Sequence, residues 1–246
     1  MIARPPGFKV KLFADGADLP RMRELSDYSW IEGFTTNPTL MRQAGISDYH
    51  AFAAEVLAAV PDRPVSFEVC SDEWDDLEDQ AKEIASWGAN VYVKVPVTNT
   101  RGELATELIR RLSHEGIRLN VTAIMTLPQV EAVCRALVAG APSFISVFAG
   151  RIADTGRDPV PLMIAALRVL THVPRAQLIW ASPREILNVV QADQIGCHVI
   201  TVTYDILQRL RLIGRDLEQY SLETVRMLYQ DAISAGLTCI RRTVRT

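Results

Sequence analysis

Residues 65–97, VSFEVCSDEWDDLEDQAKEIASWGANVYVKVPV, hold the pattern that decides the fold. Two short β-branched runs, Val65–Cys70 and Val91–Val97, flank a segment in which Trp74, Leu77, Ala81, Ile84 and Trp87 recur at helical spacing. Ser71 precedes that segment as the expected N-cap and Gly88 follows it as the expected C-cap. Strands separated by a helix cannot pair as a hairpin, so the unit reads as parallel βαβ with a right-handed crossover.

The same alternation runs outward in both directions. Val10–Asp15, Ile31–Asn37, Arg118–Met125, Phe144–Gly150, Gln177–Ser182 and His198–Tyr204 complete a set of eight strand-like runs. Leu104, Leu108 and Leu112 before Gly116 mark one further helix, and Val130, Val133 and Leu137 before Gly140 mark another. Eight consecutive units predict a single-domain (β/α)8 TIM barrel over residues 1–246, with 215–246 as a C-terminal helical extension carrying Leu222, Val225, Leu228 and Ile233. An open doubly wound sheet is the competing architecture. No GxGxxG follows the first strand, and eight repeats fit the closed barrel better.

Composition narrows the function classes. The 246 residues are 48% hydrophobic and 22% charged, enough for a sizeable core and unlike a disordered chain. No apolar run reaches the length of a membrane helix and the start MIARPPGF lacks a signal-peptide pattern, so a cytoplasmic protein is expected. A net charge of −3 with scattered basic residues carries no footprint for nucleic acid or anionic membrane. Cys70, Cys134, Cys197 and Cys239 form no CxxC, and His50, His114, His172 and His198 have no metal-ligand spacing, so no metal is expected. The basic tail Arg241, Arg242, Arg245 reads as a solvated end.

In a barrel, the carboxyl ends of the strands and the loops after them form the active face. There the sequence places Asp15, Thr35 with Asn37, Glu68, Lys94, Asn120 with Thr122, Ser146 with Arg151, and Ser182 with Arg184. Seven of the eight strands thus deliver a polar group. The pairs Thr35/Asn37, Asn120/Thr122 and Ser146/Phe148 each keep the parity needed to point into one cavity.

Lys94 is the most informative residue, a lysine in mid-strand between Val93, Val95 and Val97. Desolvation there would favour the neutral amine, a nucleophile able to form a Schiff base with a carbonyl substrate. A salt bridge to Glu68 or Asp15, or snorkelling to the rim, are the structural alternatives. Asp15 and Glu68, on nearby strands, are the candidate proton-transfer groups. Arg151, Ser182 and Arg184 suit a phosphate dianion.

Five stretches, GFTTNPTL (Gly33–Leu40), VYVKVPVT (Val91–Thr98), LNVTAIMT (Leu119–Thr126), ISVFAGRI (Ile145–Ile152) and WASPREI (Trp180–Ile186), resemble the transaldolase family, in particular its short transaldolase and fructose-6-phosphate aldolase branch. The resemblance implies Lys94 as the Schiff-base lysine, Asp15 as the acid–base at the C4 hydroxyl, and Glu68 with Thr122 positioning a relay water. It further implies Thr35, Asn37, Asn120 and Ser146 at the dihydroxyacetone hydroxyls, and Arg151, Ser182 and Arg184 at the phosphate. Phe148 and Glu68 follow the transaldolase pattern, since the aldolase branch tends to carry tyrosine and glutamine there. Val147 and Pro183 depart from the family, which usually has proline and phenylalanine at these positions, and a shifted phosphate loop could admit another chain length. The expectation is transfer of a dihydroxyacetone unit between sugar phosphates; a lyase releasing dihydroxyacetone, a specialised transaldolase for longer sugar phosphates and a silent sugar-phosphate-binding barrel stand beside it. No cofactor is implied, because the imine serves as electron sink. The resemblance also implies a homo-oligomeric ring, a pentamer or decamer, with the C-terminal helix on a neighbour.

Overall fold

The computed structural model describes residues 7–137 and 141–237. In chain order the elements are β1 (Lys11–Asp15), α1 (Leu19–Ser26), β2 (Ile31–Thr35), α2 (Pro38–Gln43), α3 (Tyr49–Ala59), β3 (Val65–Glu68), α4 (Trp74–Ser86) and β4 (Val91–Pro96). They continue with α5 (Thr106–His114), β5 (Leu119–Ile124), α6 (Leu127–Ala136), β6 (Ser143–Val147), α7 (Ala149–Asp154), α8 (Val160–Leu170) and β7 (Ala176–Trp180), then α9 (Ile186–Gln194), β8 (Val199–Thr203), α10 (Tyr204–Arg209) and α11 (Leu217–Ser234). The eight strands pair in parallel and in sequential order, and β8 returns to β1, closing the barrel. The expected (β/α)8 architecture is therefore the observed one.

β1 ends at Asp15 as expected, the other seven strands end earlier than the apolar runs suggest, and local chemistry explains where for several of them. β2 stops at Thr35 because Asn37 caps α2, its Oδ1 accepting from the Leu40 amide at 2.9 Å ahead of Pro38. β3 stops at Glu68, and the Cys70 amide turns away to donate to Gln80 Oε1 at 2.7 Å. β6 begins at Ser143 and ends at Val147, so Phe148 and Gly150 lead into and belong to α7 rather than to the strand. β7 ends at Trp180, two residues before Ser182 takes a left-handed backbone with φ of 58°.

Two helix expectations are corrected. The N-cap of α4 is Glu73, not Ser71; the Ser71 hydroxyl instead accepts from the Glu73 amide and donates to Asp76. Leu104 lies outside α5, bridged to Thr98 and largely exposed, while α5 buries Leu108, Ile109 and Leu112. Each such side chain contributes roughly 1.5–3 kcal/mol to docking α5 on the barrel. α6 opens as the sequence suggests, with a capping box between Thr126 and Gln129. Gly140, Cys239 and the arginines at 241, 242 and 245 lie outside the described residues.

Side-chain alternation sorts every strand into two faces. Leu12, Phe34, Phe67, Val93, Val95, Val121, Ile145, Leu178, Trp180 and Ile200 are all buried and face the helices. Inside the ring, Phe13, Phe144, Ile179, Ala181 and Val199 form one cluster with Tyr92 and Phe148 against it. Gly33 sits opposite Phe13, where a Cβ would lie 2.5 Å from the ring.

The chain divides into two units, the barrel up to Leu210 and a second unit from Arg211. The described part of the second unit contains α11, capped by Asp216, whose side chain accepts from the Gln219 amide at 2.8 Å, with Arg215 ion-paired to Glu223. None of the described residues of this unit is buried. Among the described residues, no helix is long and apolar enough to cross a membrane.

Candidate active site

The carboxyl ends of the strands surround a cavity of about 460 Å³. Its wall brings together Asp15, Thr35, Asn37, Glu68, Lys94, Asn120, Thr122, Ser146, Phe148, Arg151, Ser182 and Arg184, every residue singled out from the sequence for the site.

Lys94 is at its floor. The strand pairing sets Glu68 beside Lys94, and the Nζ lies 2.9 Å from Glu68 Oε2 while donating to the Thr36 carbonyl at 2.8 Å. The lysine side chain is 7% exposed. This corrects the expectation of an amine desolvated among valines: Val93, Val95 and Val97 have the opposite parity and face the helices, so the amine meets a carboxylate and a carbonyl instead.

Asp15 closes the opposite wall. Thr35 Oγ1 donates to its Oδ1 at 2.7 Å and also contacts Thr201 Oγ1 at 2.5 Å. Burial raises the pKa of Asp15 above the usual carboxylate value; the Lys94 charge and the Thr35 hydrogen bond work against that rise, and the Glu68 charge adds to it. A carboxyl group held towards its protonated form beside a lysine is suited to giving and taking protons.

A buried amide network forms a third wall. Asn120 Nδ2 donates to Ser66 Oγ at 3.0 Å, and Ser146 Oγ donates to Asn120 Oδ1 at 2.7 Å, so the Asn120 amide orientation is defined from both sides. β5 carries an irregularity between Val121 and Ile124, with Ala123 at φ of 62°. The neighbouring Thr122 hydroxyl, buried in the cavity wall, has no hydrogen-bond partner among the described residues. A buried orphan donor of this kind is built for a ligand or a bound water.

The rim carries the cations. Arg151 lies 5.8 Å from the centroid of the Phe148 ring. Arg184 is ion-paired with Asp154, its Nε 2.9 Å from Oδ1, a contact the sequence did not suggest. Gly150 packs so closely on the Ser182 carbonyl that a Cβ there would lie 1.6 Å from the oxygen, which explains glycine at that position.

Sequence reasoning left the eighth strand without a polar group. The structure supplies Thr201 and Thr203 there, both in the cavity wall. Their signal is the alternation in VITVT, which puts both threonines on the inward face. Ser66, two residues before Glu68 on the same face, was missed in the same way.

A parallel eight-strand barrel with a lysine, two carboxylates and a polar wall at its carboxyl mouth defines a (β/α)8-barrel enzyme of the kind that does its chemistry on strand ends. The Transaldolase/Fructose-6-phosphate aldolase family matches residues 12–239, and this chain belongs to that family of transaldolase-like aldolases. It is 34% identical over 202 residues to a "Probable transaldolase" of Dehalococcoides mccartyi, covering 82% of this chain and 90% of that one. It is 36% identical over 198 residues to a "Probable transaldolase" of Streptococcus agalactiae, covering 78% and 86%. Among solved structures, 2,3-dimethylmalate lyase shares the fold with a TM-score of 0.53 at 12% identity, over 96% of this chain and 86% of that one.

Proposed function

We propose that this protein is a transaldolase that moves a dihydroxyacetone unit from a ketose phosphate, fructose 6-phosphate or sedoheptulose 7-phosphate, to an aldose phosphate through a Schiff base on Lys94. The observation that carries this reading is the convergence of Lys94, Glu68 and Asp15 in one cavity of about 460 Å³ at the carboxyl mouth of the barrel.

In this reading the Lys94 amine, after passing a proton to Glu68, adds to the C2 carbonyl and water leaves as the imine forms. Asp15 takes the C4 hydroxyl proton, the C3–C4 bond breaks, and its electron pair moves into the imine to give an enamine while the aldose phosphate departs. The steps reverse with a second aldose phosphate. Asn120, Ser146, Thr35 and Asn37 present hydroxyl and amide groups to the donor, and Glu68 with Thr122 holds the water used in imine formation and hydrolysis. Arg151, Ser182 and Arg184 bind the phosphate. Phe148 offers no hydroxyl to protonate the enamine, which favours transfer over release.

The same reading includes a homo-oligomeric ring. Its support is α11, where Val225, Met227, Leu228, Tyr229 and Ile233 are each more than half exposed. The reading also places the reaction in the cytoplasm, in keeping with phosphorylated sugars as substrates.

The test is borohydride trapping with fructose 6-phosphate followed by mass spectrometry, with and without erythrose 4-phosphate. A dihydroxyacetone-sized adduct on Lys94 that disappears when the acceptor is present, with sedoheptulose 7-phosphate formed, is the expected result. Free dihydroxyacetone would make the protein an aldolase of the same chemistry. No adduct across a panel of ketose phosphates would overturn the Schiff base.

A further inference from the structure

Arg184 lines the cavity, yet it is held from outside the cavity. Its Nε lies 2.9 Å from Asp154 Oδ1 and its Nη2 lies 2.5 Å from Asp154 Oδ2, a two-point pairing in which both carboxylate oxygens engage one edge of the guanidinium. Asp154 is not part of the cavity wall. The backbone of the same arginine is fixed as well, its amide donating to Asn188 Oδ1 at 2.8 Å. Asp154 closes α7, the helix that carries Arg151 and begins at the strand end bearing Phe148, so the pairing joins the loop after β6 to the loop after β7. The Gly150 contact with the Ser182 carbonyl joins the same two loops a second time.

We infer that Asp154 is a positioning residue for the anion subsite: it holds the Arg184 guanidinium by its Nε/Nη2 edge so that the remaining N–H groups face the cavity, where they receive the substrate phosphate. The inference rests on the phosphate role proposed above for Arg184. An arginine side chain has many rotamers, and freezing one before the ligand arrives removes that ordering cost from binding. Asp154 also carries a negative charge near a site for anions, which opposes binding. Because both side chains are about half exposed, that repulsion is screened by solvent, while the geometric constraint of a two-point pair is not. The Arg184 hydrogen bond holds the Asp154 carboxyl below its usual pKa, so the restraint persists through the neutral range.

The alternative arrangement, in which Asp154 competes with the phosphate for Arg184, predicts the opposite sign. Two readouts separate these cases: the KM and kcat for fructose 6-phosphate, and the Kd for inorganic phosphate measured by calorimetry on the full-length protein. The phosphate-blind control is the rate of borohydride trapping with dihydroxyacetone, which carries no phosphate. Asp154→Asn is expected to raise both KM and the phosphate Kd about three- to fivefold, the range set by an exposed ion pair, with kcat and dihydroxyacetone trapping within twofold of wild type. Asp154→Glu should recover part of the loss, and Asp154→Asn should add nothing in an Arg184→Gln background.

An unchanged or lower KM and phosphate Kd in Asp154→Asn would overturn the positioning role, as would an equal loss of dihydroxyacetone trapping or of thermal stability. If wild type forms no imine with any ketose phosphate, the proposed reaction fails, and the phosphate Kd still decides the role of Asp154 by itself. If Arg184→Gln leaves phosphate binding at the wild-type level, Arg184 is not part of an anion site and the inference falls with it.

Discussion

The interior of the barrel has two layers that lie two residues apart along the same strands. In the lower layer Phe13, Gly33, Tyr92, Phe144, Ile179 and Val199 pack together, with the Phe13 and Phe144 rings edge to face at 5.4 Å and Tyr92 against Phe144 at 4.4 Å. In the upper layer Asp15, Thr35 and Thr201 are joined by hydrogen bonds, Ser146 is bonded to Asn120, and Lys94 is ion-paired with Glu68. Period-two alternation guarantees that both layers face inward, so the difference lies only in chemistry. The lower layer excludes water and stabilises the barrel by burial, and the upper layer retains polar groups that cost stability but can act on a substrate. Gly33 shows how tightly the lower layer is packed, since the space that a side chain would occupy there is filled by Phe13.

The sharpest break of that comparison is Lys94→Met. Turnover should fall about 10⁴-fold or more and the borohydride adduct should vanish, while circular dichroism shows an intact barrel. Lys94→Arg keeps a cation beside Glu68 and should be equally inactive, separating the amine from the ion pair. An adduct that survives in either variant would mean that the upper layer holds no nucleophilic lysine.

Phe13→Ala should do the reverse. It opens a void in the lower layer and is expected to cost about 3–5 kcal/mol in urea denaturation, with Lys94 trapping retained in the folded protein. A stability loss under about 1 kcal/mol would show that this layer does not carry the fold.

Gly33→Ala tests the packing between register partners on the neighbouring strands β1 and β2. Overpacking against Phe13 should cost about 1–3 kcal/mol, and most of that cost should disappear in a Phe13→Leu background, which frees the ring position. Independent, additive losses would contradict the close contact.

The smallest effect is a pH dependence of stability. Asp15 has its folded pKa raised by burial, so its contribution to stability is complete below the unfolded value near 3.9 and is lost as pH rises through the folded one. The stability of wild type minus that of Asp15→Asn should therefore fall with rising pH across this window, by about 1.4 kcal/mol for each pH unit between the two values. A difference that grows with pH would mean that the charged form of Asp15 is the one the fold favours.

How far the site was legible follows from the kind of signal each residue carries. Asp15, Thr35, Lys94, Asn120 and Ser146 stand out because a polar residue at an inward parity interrupts an apolar strand. Thr201 and Thr203 obey the same rule and escaped notice because threonine is also a common strand former. Asp154 carried no such signal: it is an exposed residue at a helix end, and its meaning comes only from Arg184, thirty positions away in the chain.

The repeating strand–helix pattern by itself determined a parallel sheet of eight strands covered by helices, because alternating periodicities leave few ways to bury such units, while the pairing of β8 with β1 decided that the sheet closes. It also determined which face of each strand looks inward, since that depends on nothing but parity. Only the tertiary structure decided where each strand stops, because strand ends are set by register with neighbours and by caps such as Asn37. It likewise decided that Lys94 meets Glu68, that Thr35 bridges Asp15 and Thr201, and that Arg184 is restrained by Asp154. Pairings between distant segments depend on a closed ring bringing strand ends within a few ångströms, and no local pattern encodes a distance of that kind.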